Sequence, residues 1–83
     1  MNKSDILTEL ENLSSKLSVK IVYANTGLKG GLCRIYNDYY IFLDRKSNLD
    51  YKVSIICEAL KKFDLSNIYI TPKIRKIIEN DNE

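Results

Sequence analysis

Gly30-Gly31-Leu32-Cys33-Arg34-Ile35-Tyr36-Asn37-Asp38-Tyr39-Tyr40-Ile41-Phe42-Leu43-Asp44 is the stretch that decides the fold. Two glycines, able to take positive φ or to let another backbone approach closely, open a run of strand-type residues. Asn37-Asp38 supplies a two-residue turn, because both residues tolerate the left-handed region. The segment therefore reads as a β-hairpin, with Gly30 and Gly31 as its structural turn. Pairing across Asn37-Asp38 sets Tyr36 opposite Tyr39, Ile35 opposite Tyr40 and Cys33 opposite Phe42. Side chains alternate along a strand, so one face carries Cys33, Ile35, Tyr40 and Phe42. The other carries Leu32, Arg34, Tyr36, Tyr39, Ile41 and Leu43.

Helical patterns flank the hairpin. Ile6, Leu10, Leu13 and Leu17 recur at helical spacing after Asn2 or Ser4 as a cap, which predicts a helix from Asp5 to Lys16. The β-branched Val19-Lys20-Ile21-Val22-Tyr23 predicts a first strand. Asn25, Thr26 and Gly27 are the turn formers of the loop that follows. Ser47, Asn48 and Asp50 precede a second helix, expected over 49–63 with Val53, Ile56, Cys57, Leu60 and Phe63 as its apolar stripe. Ile68-Tyr69-Ile70 reads as a short extended piece, a candidate fourth edge strand. Thr71-Pro72 then starts a last helix whose buried face is Ile74, Ile77 and Ile78. Residues 79–83 are expected to be a flexible tail. The result is a single α+β domain, α-β-β-β-α-(β)-α, with a small antiparallel sheet packed on helices.

At 83 residues the chain buries only about 60–65% of the surface its unfolded form exposes, so its core is marginal and self-association is the expected reinforcement. Two cysteines and no histidine make neither a disulfide scaffold nor an ordinary zinc site, so no metal or other cofactor is expected. A net charge of +2 does not by itself call for nucleic acid or a membrane surface. Met1-Asn2-Lys3-Ser4-Asp5 has no apolar leader, and no apolar run is long enough to span a bilayer. The expectation is a cytoplasmic protein with reduced cysteines.

The face with Cys33, Ile35, Tyr40 and Phe42 is uncharged and is expected to meet the helices. Leu32, Arg34, Tyr36, Tyr39, Ile41 and Leu43 then form a face too apolar for open water. Either it is a contact surface for a second copy or another protein, or a helix end or the C-terminal segment covers it within the monomer. Those six residues are the candidate protein interface. Cys33 and Glu58 are the candidates for a cryptic enzyme. Arg34 cannot activate the Cys33 thiol, since adjacent strand residues face opposite ways, and no histidine supplies a base. The buried structural reading outweighs the catalytic one for Cys33 and Cys57, and no catalytic residue is assigned. Gly27, Gly30 and Gly31 lead into a strand rather than a Lys-Ser/Thr helix start, so a phosphate loop is disfavoured. Lys61, Lys62, Lys73, Arg75 and Lys76 would serve a weak nucleic-acid-binding module, but Glu58, Asp64 and Glu79 are interleaved with them.

The Gly30-Gly31-Leu32-Cys33-Arg34 motif, the hairpin ending at Asp44, the helix from Lys52 to Phe63 and Pro72-Lys73-Ile74-Arg75 resemble a group of small bacterial proteins with no assigned activity. The order of helix, strands, glycine-led hairpin and helix is also similar to the minimal core of zinc-dependent peptidases. The stretch Cys57-Glu58-Ala59-Leu60-Lys61 would stand where that family carries its metal helix and retains only the glutamate. That resemblance implies a scaffold without its metal. The sequence thus points to a non-enzymatic interaction or accessory protein, self-associating or docking a protein partner through one sheet face. The alternatives are the cryptic enzyme and the nucleic-acid module.

Overall fold

The computed structural model describes residues 2–25 and 30–80. Thr26 and Gly27 of the expected loop and 81–83 of the expected tail lie outside the described residues. The order is α1 (Lys3–Lys16), β1 (Val19–Ala24), β2 (Gly31–Ile35), β3 (Asp38–Asp44), α2 (Leu49–Leu60) and α3 (Pro72–Asn80). This is a small α+β domain.

Each helix begins where a side chain can satisfy its orphan amides. Asn2 Oδ1 accepts from Asp5 N at 2.8 Å, Asn48 Oδ1 from Tyr51 N at 2.8 Å, and Thr71 Oγ1 from Ile74 N at 3.3 Å with Pro72 at the first helical position. α1 stops at Leu17, and Ser18, with φ 62°, turns the chain into β1. α2 ends at Leu60, three residues before the expected Phe63. There Lys62 N bonds Ala59 O and Phe63 N bonds Leu60 O, both at 3.1 Å, a tightened final turn. It sets the Phe63 ring edge-on to Tyr39, with centroids 5.1 Å apart. α3 continues through Asn80, so 79 and 80 are helical.

The sheet is mixed rather than antiparallel. Its strand order is β1-β3-β2, with β2 antiparallel and β1 parallel to β3. The hairpin turns one residue earlier than expected, at Tyr36-Asn37, pairing Ile35 with Asp38, Arg34 with Tyr39 and Cys33 with Tyr40. Tyr36 takes φ 56°, and Arg34 Nε donates to its carbonyl at 2.8 Å. Which residues share a face is unaffected by this shift. Gly30 is fixed by sterics, since a Cβ there would lie 2.1 Å from Phe42 O. Residues 68–70 form no strand. Ile70 is buried in the core, while Tyr69 is 77% exposed.

The face that meets the helices is the opposite of the expected one. Ile41 and Leu43 are completely or almost completely buried, whereas Cys33 is exposed and Ile35 is 43% exposed. The physical reason lies in β1. Its parallel register adds Val19, Ile21 and Tyr23 to the Tyr39, Ile41 and Leu43 side, and puts Lys20 on the other side. The helices cover the larger aliphatic face and leave the lysine in water. Leu10 and Leu13 of α1 and Ile56, Cys57 and Leu60 of α2 complete the core over this face. α3 packs beside α1 and α2 and adds Ile74 and Ile78 to this core.

Candidate interaction surface

Among the described residues, the sheet therefore has a face that no helix covers. β1 contributes Lys20 and Val22, β2 contributes Cys33 and Ile35, and β3 contributes Tyr40 and Phe42. Lys20 pairs with Tyr40 and Val22 with Phe42 in the parallel ladder, while Cys33 pairs with Tyr40 on the other side. Tyr40 and Phe42 stack with centroids 6.1 Å apart and rings inclined by 28°. The Lys20 ammonium lies 5.5 Å from the Tyr40 ring centre, a cation–π distance. At the far end of β3, on the same face by alternation, is Asp44, whose Oδ1 accepts from Lys46 N at 2.9 Å. The surface is thus an apolar and aromatic strip with Lys20 and Asp38 toward one end and Asp44 at the other.

The six residues expected at the interface are not brought together as a surface. Ile41 and Leu43 are core, and Leu32 and Tyr39 are partly buried against it. Arg34 and Tyr36 are exposed near the hairpin tip, Tyr36 by 92%, with the Arg34 guanidinium 5.9 Å from the Tyr39 ring. Of the two readings the sequence left open, cover within the monomer is the one found, with α1 and α2 as the cover. The signal that could have located the uncovered face was Lys20, whose parity places it beside Val22 once β1 is paired with β3.

The catalytic candidates are also separated. Cys33 sits on the uncovered face, whereas Glu58 is exposed on α2 beside Gly30, Leu32 and Lys62, on the helix side of the sheet. Cys57 is buried, and no disulfide joins it to Cys33. Asp50 pairs with Lys3 at 2.6 Å on the surface. Lys73, Arg75 and Lys76 lie along the exposed side of α3 together with Glu79, and Lys61 and Lys62 follow the end of α2. Among the described residues no group of three or more cysteines and carboxylates is placed to hold a metal ion, and no helix is long and apolar enough to cross a membrane.

Two groups have displaced proton affinities. The Tyr23 hydroxyl is pushed up to about 12, first by burial and then by its hydrogen bond to Glu11 and that residue's charge. Asp64 is held below the usual carboxylate range by the Ser66 hydroxyl and the Ser66 N–H, which donate to its Oδ1 at 2.7 and 3.0 Å. Both are structural: Tyr23 ties β1 to α1, and Asp64 shapes the turn after α2. Comparison of the chain with protein-family models, with curated proteins and with solved structures finds no match.

Proposed function

We propose that this chain is a non-enzymatic interaction module that self-associates by packing the uncovered face of its sheet against the same face of a second copy. The proposal includes a reducing, cytoplasmic setting in which Cys33 and Cys57 remain thiols. The observation that carries it is the strip of exposed Cys33 and Ile35 with half-buried Val22, Tyr40 and Phe42, on the sheet face that no helix covers among the described residues. Charge favours a second copy as the occupant. Lys20 and Asp44 stand toward opposite ends of the strip, so an antiparallel two-fold stacking brings each Lys20 toward Asp44 of the partner subunit.

Three strands about 4.8 Å apart and about 3.3 Å per residue give a patch of roughly 300 Å² per protomer. That is the scale of the largest apolar patches on monomeric proteins and well below a standard interface. The association is accordingly weak, with a dissociation constant on the order of 100 μM or higher.

Sedimentation or light scattering from about 10 μM to about 1 mM tests it, the range being set by that affinity. The expected mass rises from 9.6 kDa toward twice that value. Ile35→Glu or Lys20→Asp should suppress the rise, and Lys20→Asp combined with Asp44→Lys should restore it. A monomeric mass throughout, or a dimer indifferent to these changes, overturns the reading.

A further inference from the structure

β1 and β2 are the two edges of the sheet. Only Tyr36 and Asn37 separate the paired Ile35 and Asp38, so that pair exchanges both of its backbone N–H···O=C bonds. Bonded pairs alternate with unbonded ones along an antiparallel ladder. The backbone groups of Gly31 and Cys33 are therefore turned toward β3, and those of Leu32 and Arg34 point out of the sheet. Among the described residues no strand pairs with them. Cys33, Arg34 and Ile35 are all exposed, so this edge stands in water as a template for one more strand.

The β2 edge is complementary to itself. Ile35 and Gly31 lie two residues to either side of Cys33, on the same uncovered face. A Cβ at Gly31 would meet nothing within 4 Å, so an open space lies over it. A copy turned by a two-fold rotation about Cys33 lays each Ile35 over Gly31 of the partner subunit, in an unbonded pair, where side chains approach closest. Charge does not oppose this. Arg34 Nε donates to Tyr36 O at 2.8 Å, which carries the guanidinium toward the hairpin tip. Tyr36 is three residues, about 10 Å, from the axis, so the two guanidinium groups stand about 20 Å apart, well beyond the Debye length of about 8 Å. Glu58 and Lys62 of α2 line the edge beside Gly30, Gly31 and Leu32, and Asp38 is paired with Ile35. Arg34 and Lys62 against Glu58 and Asp38 leave the edge without net charge.

We propose that β2 pairs antiparallel with β2 of a second copy about a two-fold axis at Cys33, joining two three-stranded sheets into one of six strands. Leu32 and Arg34 exchange backbone bonds with Arg34 and Leu32 of the partner subunit. The apolar strip then runs unbroken from Phe42 and Tyr40 through Cys33 and Ile35 to the same residues of the partner. The contact is shorter than the face-to-face pairing and weaker, so the reduced protein populates it only slightly. It uses the edge rather than the face, and either pairing holds without the other. At the axis Cys33 faces the partner's Cys33 in an unbonded pair, with Cα atoms about 4.5 Å apart, inside the disulfide range of about 4.4–6.8 Å. Sheets stacked face to face stand about 10 Å apart and do not bring the two thiols within that range.

The test traps the pair in a glutathione redox buffer. Two Cys33 thiols and one oxidised glutathione give one Cys33–Cys33 disulfide and two molecules of reduced glutathione. The full chain should collect as a disulfide-linked dimer, and Cys33→Ser should give none. Lys20→Asp, which suppresses face-to-face pairing, should leave the yield unchanged. In the isolated dimer, amide hydrogen exchange read by NMR should slow about tenfold or more at Leu32 and Arg34 relative to the reduced chain. Cys33 and Ile35, already bonded to β3, should change little. Mixed disulfides with glutathione alone overturn the proposal. So does a linked dimer whose Leu32 and Arg34 amides exchange as in the reduced chain, since its disulfide is then a tether without a ladder. Loss of the dimer with Lys20→Asp also overturns it and assigns the contact to the face.

Discussion

Truncating Ile41 to alanine removes three carbons from a side chain with no solvent exposure, at a position flanked by Ile21 on one strand and Leu32 on the other. At about 0.8 kcal/mol per buried methylene the transfer loss alone is about 2.4 kcal/mol. Ile41 packs under α1 and α2 at the centre of the sheet, where the surroundings collapse poorly, so a cavity contribution brings the total to about 3–4 kcal/mol. A chain of 83 residues has a total stability of roughly 4–12 kcal/mol, so the substitution removes a quarter or more of it. In urea unfolding followed by far-ultraviolet circular dichroism, with a slope near 1 kcal/mol/M, the midpoint should fall by about 3 M. Ile35→Ala is the matched control: the same chemistry on the same sheet, but at a side chain 43% exposed on the uncovered face, with an expected cost below about 1 kcal/mol. Equal losses for the two variants, or a larger loss at Ile35, would refute the assignment of the faces and with it the interaction surface.

Gly30→Ala should destabilise the domain by about 2 kcal/mol or more in the same assay, because the new Cβ would lie 2.1 Å from Phe42 O and the backbone must move. Tyr36→Gly should raise stability by about 0.5 kcal/mol, since relief of the left-handed penalty at φ 56° outweighs the added unfolded-state entropy and the 92% exposed ring loses little packing. For Tyr23 the folded-state proton affinity is raised, so its contribution is fully present below the ordinary value near 10 and is lost as pH climbs toward about 12. Midpoints measured between those pH values should therefore fall more steeply for the native chain than for Tyr23→Phe, and parallel curves would contradict the burial and Glu11 contact invoked here.

The local elements were legible because their signals are local. Asn48 and Thr71-Pro72 mark helix starts by the chemistry of a few adjacent residues, and both starts are found there, whereas α1, expected from Asp5 with Asn2 or Ser4 as cap, begins two residues earlier at Lys3 because Asn2 is the cap used. The alternation in Leu32 to Leu43 gave the correct partition of side chains into two faces, and that partition survived a shifted turn. Which face is buried was not local information. It depends on β1 lying parallel to β3 across a sequence separation of twenty residues, and that pairing has no signature in the hairpin itself. Read alone, the hairpin has one face whose charges, Asp38 and Asp44, stand only at the ends of β3 and another bearing Arg34 in mid-strand, which suggests the wrong core. Read with β1, the balance reverses, because Lys20 joins the first face and Val19 and Ile21 join the other.

Lys20 carries more consequence than any other exposed residue of this sheet. Val19–Ala24 reads Val-Lys-Ile-Val-Tyr-Ala, a six-residue run rich in β-branched and aromatic residues, without proline or glycine and with a single charge. A run of that kind on an open edge is the signature of cross-strand aggregation once its charge is removed. The fold requires neither a salt bridge from Lys20 nor its burial, because its ammonium only rests over Tyr40 at the solvent boundary. Lys20→Val should therefore leave the unfolding midpoint of dilute protein nearly unchanged, within about 0.5 kcal/mol. At high concentration the variant should assemble through the β1 edge into sheet-rich material, followed by light scattering and thioflavin fluorescence. Restoring a charge as Lys20→Glu should suppress that assembly, since any like charge on the edge repels its copy. A Lys20→Val protein that stays as soluble as the native chain would show that the β1 edge is not open to a second copy.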